Sequence, residues 1–527
     1  MAGRPAPAPR DRGTLDPTTI RPPPETGERR GSHLAGLTIL FHPGDPARAG
    51  EVARLESLGE GRASELSRLS PVFGPPGGAR TGPLGDRHLS RTPVSISPRG
   101  RGVLLEPAGT ELLVDGAPLS ASREVSREEL ARGLVLELGN RVVLLLHLLG
   151  PDAPRRPRLG MVGDSEAMER LRAEVVRVAD LAVPVLLCGE TGTGKECTAR
   201  ALAATGGRAG GPFVTVNLAA VPTSIASSEL FGHAAGAYTG ASGAHAGYFA
   251  QASGGTLLLD EIGAASLEVQ AMLLRALESG EIQPLGSDRR RPVEVRVLSA
   301  TDEDLEHAVR EGRFREALYH RIAGYQLDVP PLRARRDDFG RLFMHFLGDQ
   351  LRAVGEERRA DELSAAAPWL PPSLVARMAR YDWPGNVRQL ANAVRRLVVA
   401  SRGGRRLEED ALPARLLDWT SQRAAEAPAT LAPHLPPHAP VPERELRAAL
   451  QENGWRINPT ARALGISRTY LYSLIDGSSA LRKAKDVPAE EIRACHDACG
   501  GDIDAMVEQL HVSGRGIRLR LKELGLF

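Results

Sequence analysis

The fold of the central part of the chain is decided by residues 189–196, which read Gly189-Glu190-Thr191-Gly192-Thr193-Gly194-Lys195-Glu196. The apolar run 185–188 precedes this stretch and predicts a strand, and a helix is predicted to begin near Lys195. Glycines between a strand and a helix let backbone N–H groups point at phosphates, and the helix N-terminus adds a favourable dipole. Lys195 would neutralise the β- and γ-phosphates. The stretch therefore predicts a phosphate-binding loop, which requires an α/β domain around it.

A second apolar strand ends in two carboxylates and reads Leu257-Leu258-Leu259-Asp260-Glu261. A buried strand that ends in adjacent acids carries a desolvation penalty, which a bound cation offsets. We therefore expect Asp260 to hold Mg²⁺ through water and Glu261 to polarise an attacking water as general base. The expected cofactors are ATP and Mg²⁺.

A short loop lies between these two motifs and reads Gly236-Ala237-Tyr238-Thr239-Gly240-Ala241. Together with the flanking motifs it resembles the polymerase-contacting loop of the bacterial enhancer-binding proteins, the AAA+ ATPases that activate sigma-54 RNA polymerase. The resemblance covers roughly residues 160–400. The ring of Tyr238, which stands where Phe is commoner, can insert into an apolar contact, and Thr239 can hydrogen-bond a partner backbone. The glycines allow the loop to change shape between nucleotide states.

The resemblance also implies roles for residues around the nucleotide. Asn217 matches an asparagine that restrains the catalytic glutamate until the partner engages, and Arg388 matches a second sensor in the lid. Thr301 and Asp302 fall at the first sensor, where the family usually has Asn in place of Asp302. The extra negative charge of Asp302 puts the rate of hydrolysis in question.

Two arginines and one acid complete the implied nucleotide site. Arg315 and Arg321 match fingers that reach the γ-phosphate of the next subunit, so a hexameric ring is implied. Arginine suits this role because its planar, permanently charged group meets phosphate oxygens bidentately. Glu196 stands where most phosphate-binding loops carry Ser or Thr, and the sigma-54 activators share that glutamate.

Composition limits the other possibilities. A chain of 527 residues should hold three or four domains, and a net charge of +2 predicts no general affinity for nucleic acid. The apolar run 142–149 is too short for a bilayer, which needs ~20 residues. The N-terminus lacks an apolar core segment, so we expect no signal peptide, no membrane partner and a cytoplasmic protein. The four cysteines, which show no framework spacing, are expected to be reduced and mostly buried.

The predicted architecture is multidomain, with an N-terminal β-sandwich, a central α/β AAA+ P-loop domain with a helical lid, and C-terminal all-α helix-turn-helix units. Gly139-Asn140 predicts a tight hairpin within the first of these. The predicted segments are a disordered tail (1–34), the β-domain (35–150), the ATPase subdomain (158–334), the lid (335–417), a Pro/Ala linker (418–442) and two helical units (443–484 and 488–527).

The N-terminal β-domain resembles a forkhead-associated domain at residues 89–91, 109–110 and 114–116. The resemblance implies a phosphothreonine or other protein ligand at Ser90 and Arg91. Pro75 and Pro93 stand where that family has a phosphate-binding Arg and a structural His. A domain that binds unphosphorylated protein, or that only packs on the ATPase, is an equally open interpretation.

The C-terminal part repeats itself with an offset of 46 residues, as in Leu446-Arg447-Ala448 and Ile492-Arg493-Ala494. The first unit resembles a Fis-type helix-turn-helix, whose second helix would enter the major groove of double-stranded DNA. A protein-only helical bundle stays an alternative for each unit, and which unit reads bases is open. The candidate DNA-binding residues are Ser467, Arg468, Thr469, Tyr470, Tyr472, Arg515 and Arg518.

These patterns favour an activator that binds enhancer DNA and uses ATP hydrolysis to open the closed complex of sigma-54 RNA polymerase. The alternative is a DNA-binding regulator whose ATPase core mainly organises oligomers, for which Asp302 is the best support. A phosphoprotein-binding scaffold is a third, less favoured possibility.

Overall fold

The computed structural model describes residues 33–107, 111–151, 156–237, 243–365, 368–403, 406–407, 443–453, 455, 460, 464, 487–510, 512, 514–524 and 526. The chain divides into two compact units, Met1–Ala425 and Glu426–Phe527. Among the described residues, no helix combines the length and apolar character that crossing a membrane requires.

The β-domain opens the first unit and consists of two antiparallel sheets. One sheet has the strand order β2-β1-β10-β9-β6-β7 and the other β3-β4-β5-β8, and side chains from both sheets form one apolar core. In chain order the elements are β1 (Leu34–Phe41), β2 (Val52–Arg54), α1 (Glu56–Gly59), β3 (Ser64–Leu66), β4 (Val94–Arg99), β5 (Gly102–Glu106), β6 (Leu112–Val114), β7 (Ala117–Pro118), β8 (Arg123–Val125), α2 (Arg127–Arg132), β9 (Leu134–Leu138) and β10 (Val142–Leu149).

The hairpin that Gly139-Asn140 predicts is present between β9 and β10. Leu138 pairs with Val142 across it, and Gly139 and Asn140 have φ angles of 54° and 49°. Two residues with positive φ match the right-handed twist of the flanking strands, so the turn sets the register of both.

The nucleotide-binding part follows as alternating strands and helices. Its five-stranded parallel sheet has the order β12-β13-β16-β11-β17, with helices on both faces. The elements are α3 (Glu166–Ala179), β11 (Val185–Cys188), α4 (Lys195–Thr205), β12 (Phe213–Asn217), α5 (Thr223–Phe231), α6 (Tyr248–Gln251), β13 (Thr256–Asp260), α7 (Leu267–Ser279), β14 (Glu281–Ile282), β15 (Arg291–Pro292), β16 (Arg296–Thr301), α8 (Leu305–Arg310), α9 (Glu316–Ile322) and β17 (Tyr325–Asp328).

The helical lid closes the first unit with α10 (Phe339–Ala353), α11 (Pro372–Arg380) and α12 (Asn386–Ala400). Short 3-10 turns at Leu332–Ala334 and Arg336–Asp338 connect it to β17. The lid shares one apolar core with residues of the β-domain.

The second unit contains α13 (Glu443–Glu452), α14 (Ala489–Ala498), α15 (Ile503–Leu510) and α16 (Gly514–Glu523). The bounds of α13 and α14 are offset by 46 residues, the spacing of the repeat in sequence. Side chains from both repeats, including Leu446, Leu450, Ile492 and Met506, share one core. The two units of the repeat therefore bury their apolar faces against each other.

Candidate nucleotide and polymerase site

The phosphate-binding loop has the conformation that its glycines permit. Gly192 and Gly194 have φ angles of 79° and 110°, in the region that L side chains rarely adopt. Helix α4 begins at Lys195, and its N-cap Gly194 makes no side-chain hydrogen bond, so backbone N–H groups of the first turn can bind an anion. Lys195 is 7% exposed, and its ammonium group donates to the Gly189 carbonyl at 2.7 Å.

The two acids lie at the carboxyl end of the neighbouring strand. Asp260 ends β13, and Glu261 follows with a φ of 55°. Burial raises the pKa of Asp260, although the nearby Lys195 lowers it. Burial and the neighbouring Asp302 raise the pKa of Glu261 to about 7. The site therefore contains one carboxyl group that is poised to exchange a proton near neutral pH.

Asp302 forms hydrogen bonds with both the phosphate-binding loop and the acidic end of β13. Its carboxylate accepts hydrogen bonds from the Thr191 hydroxyl and from Glu261. Burial raises the pKa of Asp302, but these two bonds and the charge of Lys195 lower it on balance. The proton of the acid pair therefore resides on Glu261.

Three other residues expected in this site, Asn217, Thr301 and Glu196, each have partners other than Glu261. The Asn217 side-chain oxygen accepts from the N–H groups of Ala219 and Ala220 at 2.9 and 3.2 Å, whereas Glu261 bonds to Asp302. Thr301 is buried at the end of β16, and its carbonyl accepts from the Gly189 N–H. Glu196 is exposed and pairs with Arg200 one helical turn away.

A clamp between the lid and the phosphate-binding loop was missed by the sequence analysis. The buried Asn386 amide donates to the Glu190 carboxylate at 3.1 Å and to the Thr191 carbonyl at 3.2 Å. Arg333 donates to the same carboxylate at 2.7 Å, and this bond lowers the pKa of Glu190. Asn386 has a φ of 51°, in the left-handed region that Asn tolerates better than most residues.

Arg388, the predicted second sensor, also contacts the phosphate-binding loop from the lid. The Arg388 backbone N–H donates to the Gly192 carbonyl at 3.3 Å, and its charge lowers the pKa of Asp260. A β-carbon at Gly192 would lie 2.5 Å from the Gly385 carbonyl oxygen. Glycine is thus required here by the close approach of the lid as well as by its φ angle.

The two arginines predicted to be fingers are exposed and bonded to opposite ends of α7. Arg315 donates to the Leu267 carbonyl at 3.0 Å, and Arg321 donates to the Leu277 carbonyl at 2.6 Å. The fully buried Gln270 of α7 accepts from the Arg315 N–H and donates to the Arg313 carbonyl. Gln270 therefore fixes the backbone of residues 313–315 against α7. The sequence analysis missed this glutamine as well, although a polar residue among the apolar residues of a helix indicates a buried hydrogen bond.

Helix α7 follows the two acids, and its buried apolar side chains are Val269, Leu273 and Ala276. Leu267, at the first position of the helix, is 45% exposed. Ser266 caps the helix by accepting from the Val269 N–H.

The structure describes the base of the loop that is predicted to contact the polymerase. His233 and His245 pair as an antiparallel bridge, and the Ala234 N–H donates to the Leu285 carbonyl at 2.9 Å. Gly236 has a φ of 79°, and a β-carbon at Gly286 would lie 2.7 Å from the Ala237 β-carbon. The loop after α7 therefore touches the base of this loop. Tyr238, Thr239, Gly240 and Ala241 lie outside the described residues.

The donor set fits a magnesium ion held jointly with nucleotide phosphates. Mg²⁺ commonly uses one or two carboxylates, several waters and substrate phosphates. Asp260, a half-buried carboxylate beside Lys195, provides one such ligand. No cluster of three or more His, Cys, Asp or Glu side chains suits a metal within the part of the chain that the structure describes.

The other candidate positions are described in part. The Ser90 hydroxyl accepts from the Thr92 N–H at 3.0 Å, and Arg91 is exposed. Arg515 and Arg518 lie on α16, and the Arg518 side chain is exposed. Ser467, Arg468, Thr469, Tyr470 and Tyr472 lie outside the described residues.

The fold and this site define a P-loop nucleotide-binding protein with a helical lid. Three sequence families match the chain: the sigma-54 interaction domain at residues 161–328, the AAA+ ATPase lid domain at 333–429, and the Fis family of bacterial regulatory proteins at 443–473.

Among curated proteins, the nitric oxide reductase transcription regulator NorR1 of Cupriavidus necator is 40% identical over 415 residues, which are 74% of this chain and 78% of the relative. The transcriptional regulatory protein ZraR of Escherichia coli K12 is 40% identical over 60% of this chain and 68% of its own. Among solved structures, a crystal structure of NtrX from Brucella abortus superposes with a TM-score of 0.44 and 32% sequence identity. The superposition covers 60% of this chain and 68% of the NtrX chain.

The chain therefore belongs to the sigma-54-dependent transcriptional regulators. It is an ATP-dependent transcriptional activator that acts with sigma-54 and binds DNA.

Proposed function

We propose that the chain forms a hexameric ring whose ATP hydrolysis, with Mg²⁺, remodels the closed complex of sigma-54 RNA polymerase into the open state. The observation that supports this proposal best is the convergence of Lys195, Asp260 and the lid residue Arg388 at the carboxyl edge of one parallel sheet. Open α/β sheets bind their ligands at this edge.

Within the proposed mechanism, Lys195 and the N–H groups of the loop bind the β- and γ-phosphates. Glu261 orients a water molecule and takes its proton as the water attacks. Arg388 neutralises charge from the same chain, whereas Arg315 and Arg321 reach the nucleotide of the next subunit. Both arginines are exposed while they bond to carbonyls of α7, which supports action on a neighbour. Mg²⁺ at Asp260 would offset the charge that develops on the transferred phosphoryl group.

Helix α7 provides a physical route from hydrolysis to the polymerase. It begins six residues after Glu261, and two of its carbonyls accept hydrogen bonds from Arg315 and Arg321. Its C-terminal end leads into the loop that contacts Ala237. A shift of α7 between nucleotide states would therefore move the base of the loop that carries Tyr238 and Thr239. These two residues are proposed to contact sigma-54.

The decisive experiment measures ATP-dependent open-complex formation on a sigma-54 promoter by the purified chain. We expect Lys195→Ala to abolish nucleotide binding and opening, and Glu261→Gln to bind ATP without turnover. A wild-type rate of ATP hydrolysis by Glu261→Gln would contradict the role of Glu261 as general base.

A second candidate function is a DNA-binding regulator whose ATPase core organises oligomers with little hydrolysis. The bond between Glu261 and Asp302 favours it, because a protonated carboxyl group cannot act as a base. Oligomers and bound DNA without nucleotide-dependent opening, even at alkaline pH, would support this alternative.

The remaining two parts of the proposal concern DNA binding by the C-terminal units and ligand binding by the β-domain. We propose that the helix-turn-helix units bind enhancer DNA through Ser467–Tyr472 and, in the second repeat, through Arg515 and Arg518. A phosphothreonine or other protein ligand at Ser90 and Arg91 stays a prediction. Its natural test is binding of a phosphothreonine peptide to the full chain, with Arg91→Ala as the comparison.

A further inference from the structure

Three neighbouring strands of the β-domain, β9, β10 and β1, bury apolar side chains on both faces. The inward side chains, such as Ile39 and Leu144, belong to the core between the two sheets. Five outward side chains are also apolar and between 0 and 2% exposed, and the outward polar residues Thr38 and Glu137 are buried as well, at 1 and 4%. A sheet with one face in water exposes the side chains of that face, so this sheet requires a cover. The five apolar outward residues are Leu40, Phe41, Val135, Val143 and Leu145.

The cover is the lid of the same chain. The Phe41 ring meets the Phe343 ring of α10 edge-on, with centroids 6.4 Å apart. A β-carbon at Gly340 of α10 would lie 2.4 Å from the Leu40 carbonyl oxygen. The Arg141 guanidinium, at the β9–β10 turn, donates to the Ala365 carbonyl of the lid at 2.8 Å. The helix and the sheet are therefore in backbone contact.

The segment that leads into the lid touches the β-domain and the phosphate-binding loop with adjacent residues. Arg335, 3% exposed, donates to the Thr193 carbonyl of the loop at 2.8 Å. Arg336 donates to the Arg132 and Gly133 carbonyls of the β-domain at 3.0 and 2.9 Å. A displacement of either partner therefore acts on the same short piece of backbone.

We propose that the β-domain is the outer layer of the lid, and that its docking stabilises the lid arrangement that binds nucleotide. This inference rests on the proposed ATPase function and assigns a regulatory contact to it. The β-domain moves with the lid, so a protein ligand of the β-domain changes nucleotide affinity through residues 331–338. By linkage, nucleotide strengthens the docking by the same factor that docking strengthens nucleotide binding.

Gly340→Ala in the full chain separates this contact from the stability of the lid itself. Alanine is the better helix former, so the lid alone would tolerate the change, and only the approach of Leu40 opposes it. Gly348→Ala in the same helix is the matched control, because a β-carbon there meets no atom within 4 Å.

Two quantities are measured for the wild type and both variants: the dissociation constant of ADP, and hydrogen exchange of residues 34–41 and 142–149. We expect Gly340→Ala to weaken ADP binding by about fivefold or more and to speed exchange in both segments. Gly348→Ala should match the wild type, and saturating ADP should slow this exchange in the wild-type chain.

Faster exchange with unchanged ADP affinity would overturn the proposal, because the β-domain would then be a passive neighbour. Unchanged exchange in Gly340→Ala would overturn it as well, since the contact would not restrain the sheet. Should Gly340→Ala aggregate, Arg336→Gln removes the two bonds to the β-domain, together with one bond to the Ala379 carbonyl of the lid, and leaves both apolar cores intact. The same results are expected of it. A wild-type chain that binds no ADP would instead contradict the proposed ATPase function.

Discussion

Glu261 and Asp302 form the most unusual pair of residues in the nucleotide site. The family resemblance leads us to expect Asn in place of Asp302, and an amide could bond to a Glu261 carboxylate without adding negative charge. Asp302 instead leaves the proton on Glu261, whose pKa is about 7. Glu261, the proposed general base, is therefore only partly ionised at neutral pH.

Replacement of Asp302 by Asn should lower the pKa of Glu261, since the neighbouring charge is removed. A general base acts in its deprotonated form, so the wild-type kcat/KM should rise with pH through about 7. In Asp302→Asn this rise should occur at lower pH, which gives a several-fold gain at pH ~6 and little change at pH ~8.5. Steady-state hydrolysis measured between these values tests the shift.

The matched control is Asp180→Asn, an exposed acid at the end of α3, which should leave the pH profile unchanged. Identical profiles for Asp302→Asn and the wild type would show that the acid pair does not control the base. A loss of hydrolysis at every pH would show that Asp302 is needed in its charged form.

At the scale of elements, the loop after α7 contacts the base of the predicted polymerase-contacting loop at Ala237. This contact predicts a variant that loses promoter opening but keeps ATP hydrolysis. Gly286 and Gly280 have φ angles of 70° and 67°, so alanine at either position adds similar backbone strain, about 1 kcal/mol. A β-carbon at Gly286 meets Ala237, whereas one at Gly280 meets nothing within 4 Å. We therefore expect Gly286→Ala to reduce open-complex formation strongly at near-normal ATPase rate.

Gly280→Ala should keep both activities, because it adds the strain without the contact. Parallel assays of ATP hydrolysis and promoter opening distinguish the two variants. Equal opening by both would mean that the base of the polymerase-contacting loop does not depend on the loop after α7.

Local motifs explain why much of this site could be predicted from sequence. A glycine-rich loop before Lys195 and an apolar strand before Asp260 are contiguous patterns, and each specifies its own geometry. The clamp of Asn386 on Glu190 joins residues 196 positions apart, so no local pattern encodes it. The buried Gln270 likewise bonds to the backbone of Arg313 and Arg315, which are 43 and 45 positions away in the sequence.

The β-domain shows the same limit at a larger scale. The apolar run 142–149 was visible in the sequence, and the hairpin at Gly139-Asn140 was predicted correctly. A strand that is apolar on both faces indicates that it has two neighbours, but its pattern does not identify them. The structure identifies α10 and α11 of the lid as the second neighbour.

At the scale of the whole molecule, the roles proposed for Arg315 and Arg321 would mean that one chain does not complete its own site. Arg321 bonds to the end of α7 and is exposed, whereas Lys195 is buried in the phosphate-binding loop. In a ring with head-to-tail contacts, each site would combine Lys195 of one chain with Arg321 of its neighbour.

Mixing of two inactive variants tests this arrangement. Lys195→Ala and Arg321→Ala should each lose ATP hydrolysis, because each removes one half of every site. Random mixed rings of equal proportion should recover up to about a quarter of wild-type turnover, since a quarter of neighbouring pairs join two intact halves. Steady-state hydrolysis after the variants are mixed and allowed to exchange measures this recovery.

The control mixture pairs Arg321→Ala with the double variant Lys195→Ala/Arg321→Ala, which cannot form a complete site in any order and should stay inactive. Arg310→Ala, an exposed arginine on the neighbouring helix α8, should hydrolyse ATP at the wild-type rate by itself. If the Lys195→Ala and Arg321→Ala mixture stayed as inactive as the control although exchange was demonstrated, Arg321 would act within its own chain. The argument for a ring would then lose its main structural support, because nothing would require the neighbour at the nucleotide.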